Sequence, residues 1–170
     1  LDPALVQGLE TAAAYAADWW GWPRPRFEAR AATPTIGDGP AASFFTGGID
    51  STFTLHRNLR RYPADHPLRL RRALHAFGID NGLGADNYGS ASERRAHASL
   101  IAGLGTYLDQ YAIRIERIDT NMRTFVPKNE FLDHFYGAMI IALAHASGPG
   151  VYRMPSTFSI PELRPAASHP

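Results

Sequence analysis

Cysteine is absent from all 170 residues, which removes disulfides, thiolate metal sites and cysteine nucleophiles from the available chemistry. Lysine occurs once, as Lys128, beside sixteen arginines. Charge of one sign is lacking too: the formal net charge is +1, so there is none of the basic excess that drives sequence-independent nucleic-acid binding. A nucleic-acid partner is therefore not expected. No apolar run is long enough to span a bilayer, since the longest, 131–147, contains Asp133, His134 and His145. No basic start precedes an apolar block, so neither a secretory signal nor membrane association is expected, and a cytoplasmic location is. The chain starts at Leu1 rather than methionine and stops at Pro170 in a polar stretch, as a piece of a longer protein would.

What is present is ordinary globular material, 45% hydrophobic and 19% charged, enough for one domain with a proper core. Apolar spacing predicts helices over 3–20, 51–61, 89–108 and 131–147. Strands are expected over 41–46, 71–79, 111–118 and 150–156, with a short one over 26–32. Strands and helices alternate, with connections long enough for crossovers. That order predicts an α/β fold, a doubly wound, Rossmann-like parallel sheet of about five strands with helices on both faces. The expected division is an N-terminal helix and short strand over 1–32, then a nucleotide-binding domain over 33–170. In such sheets ligands sit beyond the carboxyl ends of the strands.

One turn stands at that place. "FFTGGIDSTF", residues 44–53, runs from a buried-looking strand through Gly47 and Gly48 into a helix. A strand, paired glycines and a helix start direct several backbone N–H groups at one point, and the helix terminus adds partial positive charge. Glycine lets a ligand approach the backbone closely. Phosphate oxygens suit such a site; Thr46, Ser51 and Thr52 could donate hydroxyl hydrogen bonds, and Asp50 is placed to hold Mg²⁺. The ordinary alternative is a strand-to-helix turn in which Ser51 caps the helix.

The stretch "FFTGGIDS" resembles the PP-loop signature of the ATP pyrophosphatases, Ser-Gly-Gly-x-Asp-Ser, with Thr46 in place of the first serine. Residues 151–170, "VYRMPSTFSIPELRPAASHP", with "TNMR" (120–123) and "HFYGAMIIALA" (134–144), are similar to a bacterial branch related to the deazaguanine nitrile synthases. Members of that branch continue into a cysteine-bearing region that this chain lacks. The resemblance implies a five-stranded parallel sheet, ATP and Mg²⁺, and a small-molecule substrate adenylated with release of pyrophosphate before ammonia or an amine displaces AMP. It implies that Thr46, Gly47, Gly48, Ile49, Asp50, Ser51 and Thr52 hold pyrophosphate and metal, and that Ala76, Phe77 and Gly78 pass beside adenine. A nucleotide-binding module without turnover is the alternative; a tRNA-sulfur role is disfavoured by the missing cysteines and near-neutral charge.

Other candidates lie at the same sheet edge. Arg123 and Lys128 could meet the α-phosphate or a carboxylate, or be solvated loop charges. His134, at a helix start, could face substrate; packing is the alternative for it and for His145. Ser156, Thr157 and Ser159 follow the last strand and could line a pocket or only turn the chain. Asp80, Asn81 and Asp86 read as turn residues, with substrate or metal contact the alternative, and Ser168 and His169 match the branch but close the chain. The Trp19, Trp20 and Trp22 cluster is expected to pack, since no basic stripe accompanies it.

Overall fold

The computed structural model describes residues 3–28, 39–79, 89–127, 130–148 and 150–156. The chain divides into two compact units, Leu1–Ile36 and Gly37–Pro170. The first carries α1 (Pro3–Trp20), the span its periodicity predicts, with Pro3 tolerated in the first turn. Its aromatic residues pack on one another, Tyr15 on Trp19 at 5.3 Å and Trp20 on Trp22 at 5.0 Å between ring centroids. The short strand expected over 26–32 is not seen in its described part, 26–28; residues 29–32 lie outside the described ones.

The second unit is built on a parallel sheet. Its strands are β1 (Ala42–Phe44), β2 (Arg72–Phe77), β3 (Arg114–Asp119) and β4 (Tyr152–Arg153), in the order β3-β2-β1-β4. All the pairings are parallel: Phe44 faces Leu74, Phe77 faces Asp119, and Ser43 faces Arg153. Parallel neighbours need crossovers. Here α2 (Ile49–Arg61), α3 (Ala91–Asp109) and α4 (Tyr136–Ala146) supply them.

Side chains alternate across a strand, so the buried residues of β1 and β2 sort into two sets. Ala42, Phe44 and Leu74 join Phe131, Met139, Ile140 and Leu143 of the last helical region. Ala41, Phe45 and Ala73 join Leu55 of α2 and Leu108 of α3. Each set packs against residues of the helical regions. Burying a side chain such as Leu74, fully enclosed, contributes about 2 kcal/mol.

Two polar ties fix this frame. Asn58, buried on α2, donates to Leu68 O (2.9 Å) and accepts from Leu70 N (2.9 Å), joining the end of α2 to the chain entering β2. Asn58→Ala would strand the buried Leu70 N–H, so we expect a loss of about 2 kcal/mol, read as a lower urea midpoint with unchanged slope. Arg72 on β2 grips Glu116 on β3 with its Nε at 3.1 Å and Nη2 at 2.8 Å, and also donates to Ser147 O just past α4 (2.9 Å).

Three departures from expectation have local causes. Residues 111–113 leave α3 as a turn rather than opening β3; Ala112 takes φ +55, and Ile113 N bonds back to Leu108 O at 3.3 Å. The helix expected from 131 starts as a π-turn, Phe131–Phe135, with Tyr136 N reaching Phe131 O, before α4 takes over. Strand β4 spans two residues where seven were expected.

Candidate functional site

The order of the strands reverses beside β1. The chain steps from β1 to β2 to β3 on one side and returns to place β4 on the other. In open α/β sheets ligands bind beyond the carboxyl ends of the strands that flank such a reversal, here β1 and β4. The Thr46–Thr52 turn leaves β1 there, and Ser156 lies three residues past β4.

The turn is held from below by β2. Phe45 N donates to Leu74 O (2.9 Å), and Phe45 O accepts from His75 Nδ1 (2.8 Å). The next residues are exposed. Gly47 takes φ +80, a left-handed conformation, and a Cβ built there would fall 2.8 Å from Leu104 Cδ2 on α3. Gly48 differs: it is extended (φ −73, ψ 172) and is the N-cap of α2. A Cβ on Gly48 would meet nothing nearer than Thr46 Oγ1, at 3.4 Å.

Hydroxyls tie the turn together. Gly48 N–H donates to Thr46 Oγ1 (3.3 Å), and Ser51 Oγ donates to Gly48 O (3.0 Å). Thr46 Oγ1 and Ser51 Oγ are 3.5 Å apart. Ser51, 4% exposed, is therefore an internal brace and not the helix cap. Thr52 N reaches Gly48 O at 3.0 Å, so the turn of α2 starting at Ile49 points its first amides outward, the arrangement that receives anions. Asp50 is exposed in that first turn, and Ile49 is 88% exposed.

The second strand runs past the first. β1 makes its last ladder pairing at Phe44–Leu74, and β2 continues to Phe77. Phe77 O accepts from Thr120 N on the β3 side (3.0 Å). By alternation, Ala76 presents its N–H and C=O to the β1 side, beyond the last β1 pairing. Phe77 is fully buried, and Gly78 turns the chain at φ +93.

Arg123 is committed within the fold. On the 3-10 turn Met122–Phe125, its Nη1 donates to Ile79 O (3.0 Å), and its guanidinium lies 4.3 Å from the centre of the Phe131 ring. His134 sits half-buried in the π-turn, its Nδ1 3.9 Å from Glu130 Oε2. His145 is exposed near the end of α4. Lys128, Thr157 and Ser159 lie outside the described residues, as do Asp80, Asn81, Asp86, Ser168 and His169. The structure therefore brings together Thr46–Thr52 and Ala76–Gly78, with Ser156 after the neighbouring strand.

A histidine in the middle of a buried strand was the signal for one residue that motif reading passed over: His75, 1% exposed, fastens the carbonyl that precedes the turn. Its packing partner His97 had no comparable signal, since α3 shows polar residues all round.

No group of three or more His, Asp or Glu among the described residues could hold a metal ion. The donor set still fits Mg²⁺ brought by a nucleotide, because that ion keeps several waters and takes one or two carboxylates beside phosphate oxygens. Asp50 is such a carboxylate. Among the described residues, no helix is long and apolar enough to cross a membrane. No family model matches the chain, and no curated protein or solved structure does either.

Proposed function

We propose that this chain is a PP-loop nucleotide-binding domain of a doubly wound, five-stranded type, which activates a small-molecule substrate by adenylation with release of pyrophosphate. The observation that carries the reading is Gly48. Its backbone is one any residue adopts, and a Cβ would have room. Packing does not call for glycine there and N-capping favours it only modestly, whereas a ligand lying against the main chain does call for it. The reversal of strand order beside β1 and the start of α2 there support the same reading.

On this reading Thr46, Gly47, Gly48, Ile49, Ser51 and Thr52 line the β- and γ-phosphates, and Asp50 holds Mg²⁺, which would neutralise charge on the departing pyrophosphate. The Ala76 main chain meets the adenine edge. A substrate oxygen attacks the α-phosphorus as its bond to the bridging oxygen breaks and pyrophosphate leaves; ammonia or an amine then displaces AMP from the activated carbon. His134 and Ser156, with Thr157 and Ser159, are the candidates for contacting that substrate, and Lys128 for the α-phosphate.

A second reading, a nucleotide-binding module without turnover, draws on Arg123. Its guanidinium is engaged by Ile79 O and Phe131, which leaves it poorly placed to follow a developing phosphate charge. Calorimetric titration with ATP–Mg²⁺, on the wild type and on Asp50→Ala with Gly48→Val, tests the site. We expect binding in the first and loss of at least a hundredfold in the second, about 2.7 kcal/mol. A folded wild type that binds no nucleotide sinks both readings. Pyrophosphate release across a panel of carboxylate substrates with ammonia separates enzyme from module.

A further inference from the structure

The inner face of α3 carries an imidazole that the nucleotide reading does not use. His97 is 3% exposed, and neither of its ring nitrogens has a hydrogen-bond partner among the described residues. A buried polar group in that condition calls for an explanation other than stability. Its ring lies 4.9 Å from that of His75 and 4.7 Å from that of Phe77. His75 in turn donates from Nδ1 to Phe45 O at 2.8 Å; a carbonyl only accepts, so Nδ1 carries the proton.

The charged groups around His97 come from several elements. From its own helix comes Arg94, whose guanidinium lies 5.6 Å from the centre of the Phe77 ring. Strand β3 brings Arg117, 5.4 Å from the same ring, and Asp119, which accepts from Arg117 Nε at 2.8 Å. Strand β2 brings His75. A proton on His97 would be opposed by His75 and the Arg117 guanidinium, with Asp119, itself engaged by Arg117, acting in the other direction.

The same face of α3 reaches the turn. Leu104 follows His97 by seven residues, two helical turns, and so lies on one side with it. Leu104 is the side chain whose Cδ2 a Cβ at Gly47 would strike. His97 thus packs on the residue that holds the Phe45 carbonyl, and Leu104 packs on the glycine two residues beyond.

We propose that His97 is a proton-sensitive positioning residue for the 46–52 loop: when neutral it lets α3 close on His75 and Gly47, and when protonated it drives α3 away and loosens the loop. Burial first, then the facing His75 and Arg117, hold its basicity below the ordinary imidazole value of 6.5, with Asp119 opposing. The unfolded chain therefore takes up the proton first. The stability from neutral His97 is full above pH 6.5 and is lost as pH falls toward the lower folded value. The ligand arm of this inference rests on the nucleotide reading; the loop arm does not.

The test is a pH titration of the full chain by ¹H–¹⁵N NMR, following the His97 ring and the amides of Phe45, Thr46, Gly47 and Gly48, in wild type and His97→Leu. In the wild type the loop amides should shift with the His97 midpoint, below the ordinary imidazole range, and in the variant that transition should vanish. ATP–Mg²⁺ affinity, titrated by calorimetry, should fall about tenfold for each unit by which binding lowers that midpoint, and should lose this dependence in His97→Leu. Loop amides that ignore the wild-type His97 midpoint, or still titrate in the variant, overturn the proposal. Amides that follow His97 with no heat of nucleotide binding at any pH uphold the clamp and reject the nucleotide reading.

Discussion

Arg72→Ala is expected to lower the unfolding free energy by about 3 kcal/mol at neutral pH, measured by urea unfolding. The guanidinium and the Glu116 carboxylate are only 13% and 20% exposed as side chains. Removing the arginine leaves a largely buried carboxylate, with Arg114 at 3.5 Å and mostly in solvent as its remaining cation. It also frees Ser147 O, a carbonyl at the end of α4 that Arg72 satisfies. Three elements would lose one shared fastener.

The same pair gives stability a pH dependence of definite sign. Hydrogen bonds from Arg72 hold Glu116 below its ordinary value of 4.5, against the opposing effect of burial. The unfolded chain then binds the proton first, so the contribution is complete above pH 4.5 and is lost as pH falls through the lower folded value. Wild-type stability should decline in that acid window, and Arg72→Ala should flatten the decline. A variant losing less than about 1 kcal/mol with an unchanged acid slope would show that the pair behaves as a solvated surface bridge.

Replacing the two glycines separately should split folding from binding. Gly47→Val is expected to cost about 2 kcal/mol of stability, because a left-handed φ of +80 strains any side chain and a branched one most. The contact with Leu104 adds less, since a leucine tip can shift. Gly48→Val should cost no more than about 1 kcal/mol, the ordinary penalty of a poor N-cap, yet abolish ATP–Mg²⁺ binding in calorimetry. If Gly48→Val binds nucleotide like the wild type, the turn is only a turn.

Much of the frame was readable from residue pattern. Helix α1 matches its expected span, and the apolar runs before the glycines and around His75 are the central strands, because a strand buried on both faces has to be apolar throughout. The glycine turn lies where its spacing placed it, between β1 and α2. Other features were hidden for physical reasons. The π-turn at Phe131 adds one residue to a turn, and "FLDHFYGAMIIALA" reads as helical with or without it. Ala112 in a left-handed conformation has no sequence sign, since glycine or asparagine would ordinarily mark such a place. Arg123 looks like any loop arginine until the fold brings Ile79 O to its fork. Residues flanking a motif are set by tertiary contacts, and those a linear reading does not contain.

The place of β4 beside β1 has a consequence for synthesis. Ser43 accepts its neighbour from 110 residues further along, through Ser43 Oγ donating to Arg153 O. A ribosome working at about 5–20 residues per second needs roughly 5–20 s to cover that distance. Throughout that interval one side of the most buried strand has its hydrogen-bonding edge open, with Phe44 at its end and Phe45 next to it. A nascent chain of this protein should therefore be most vulnerable to aggregation before Tyr152 emerges, and a chaperone that shields residues 41–46 would act on that interval.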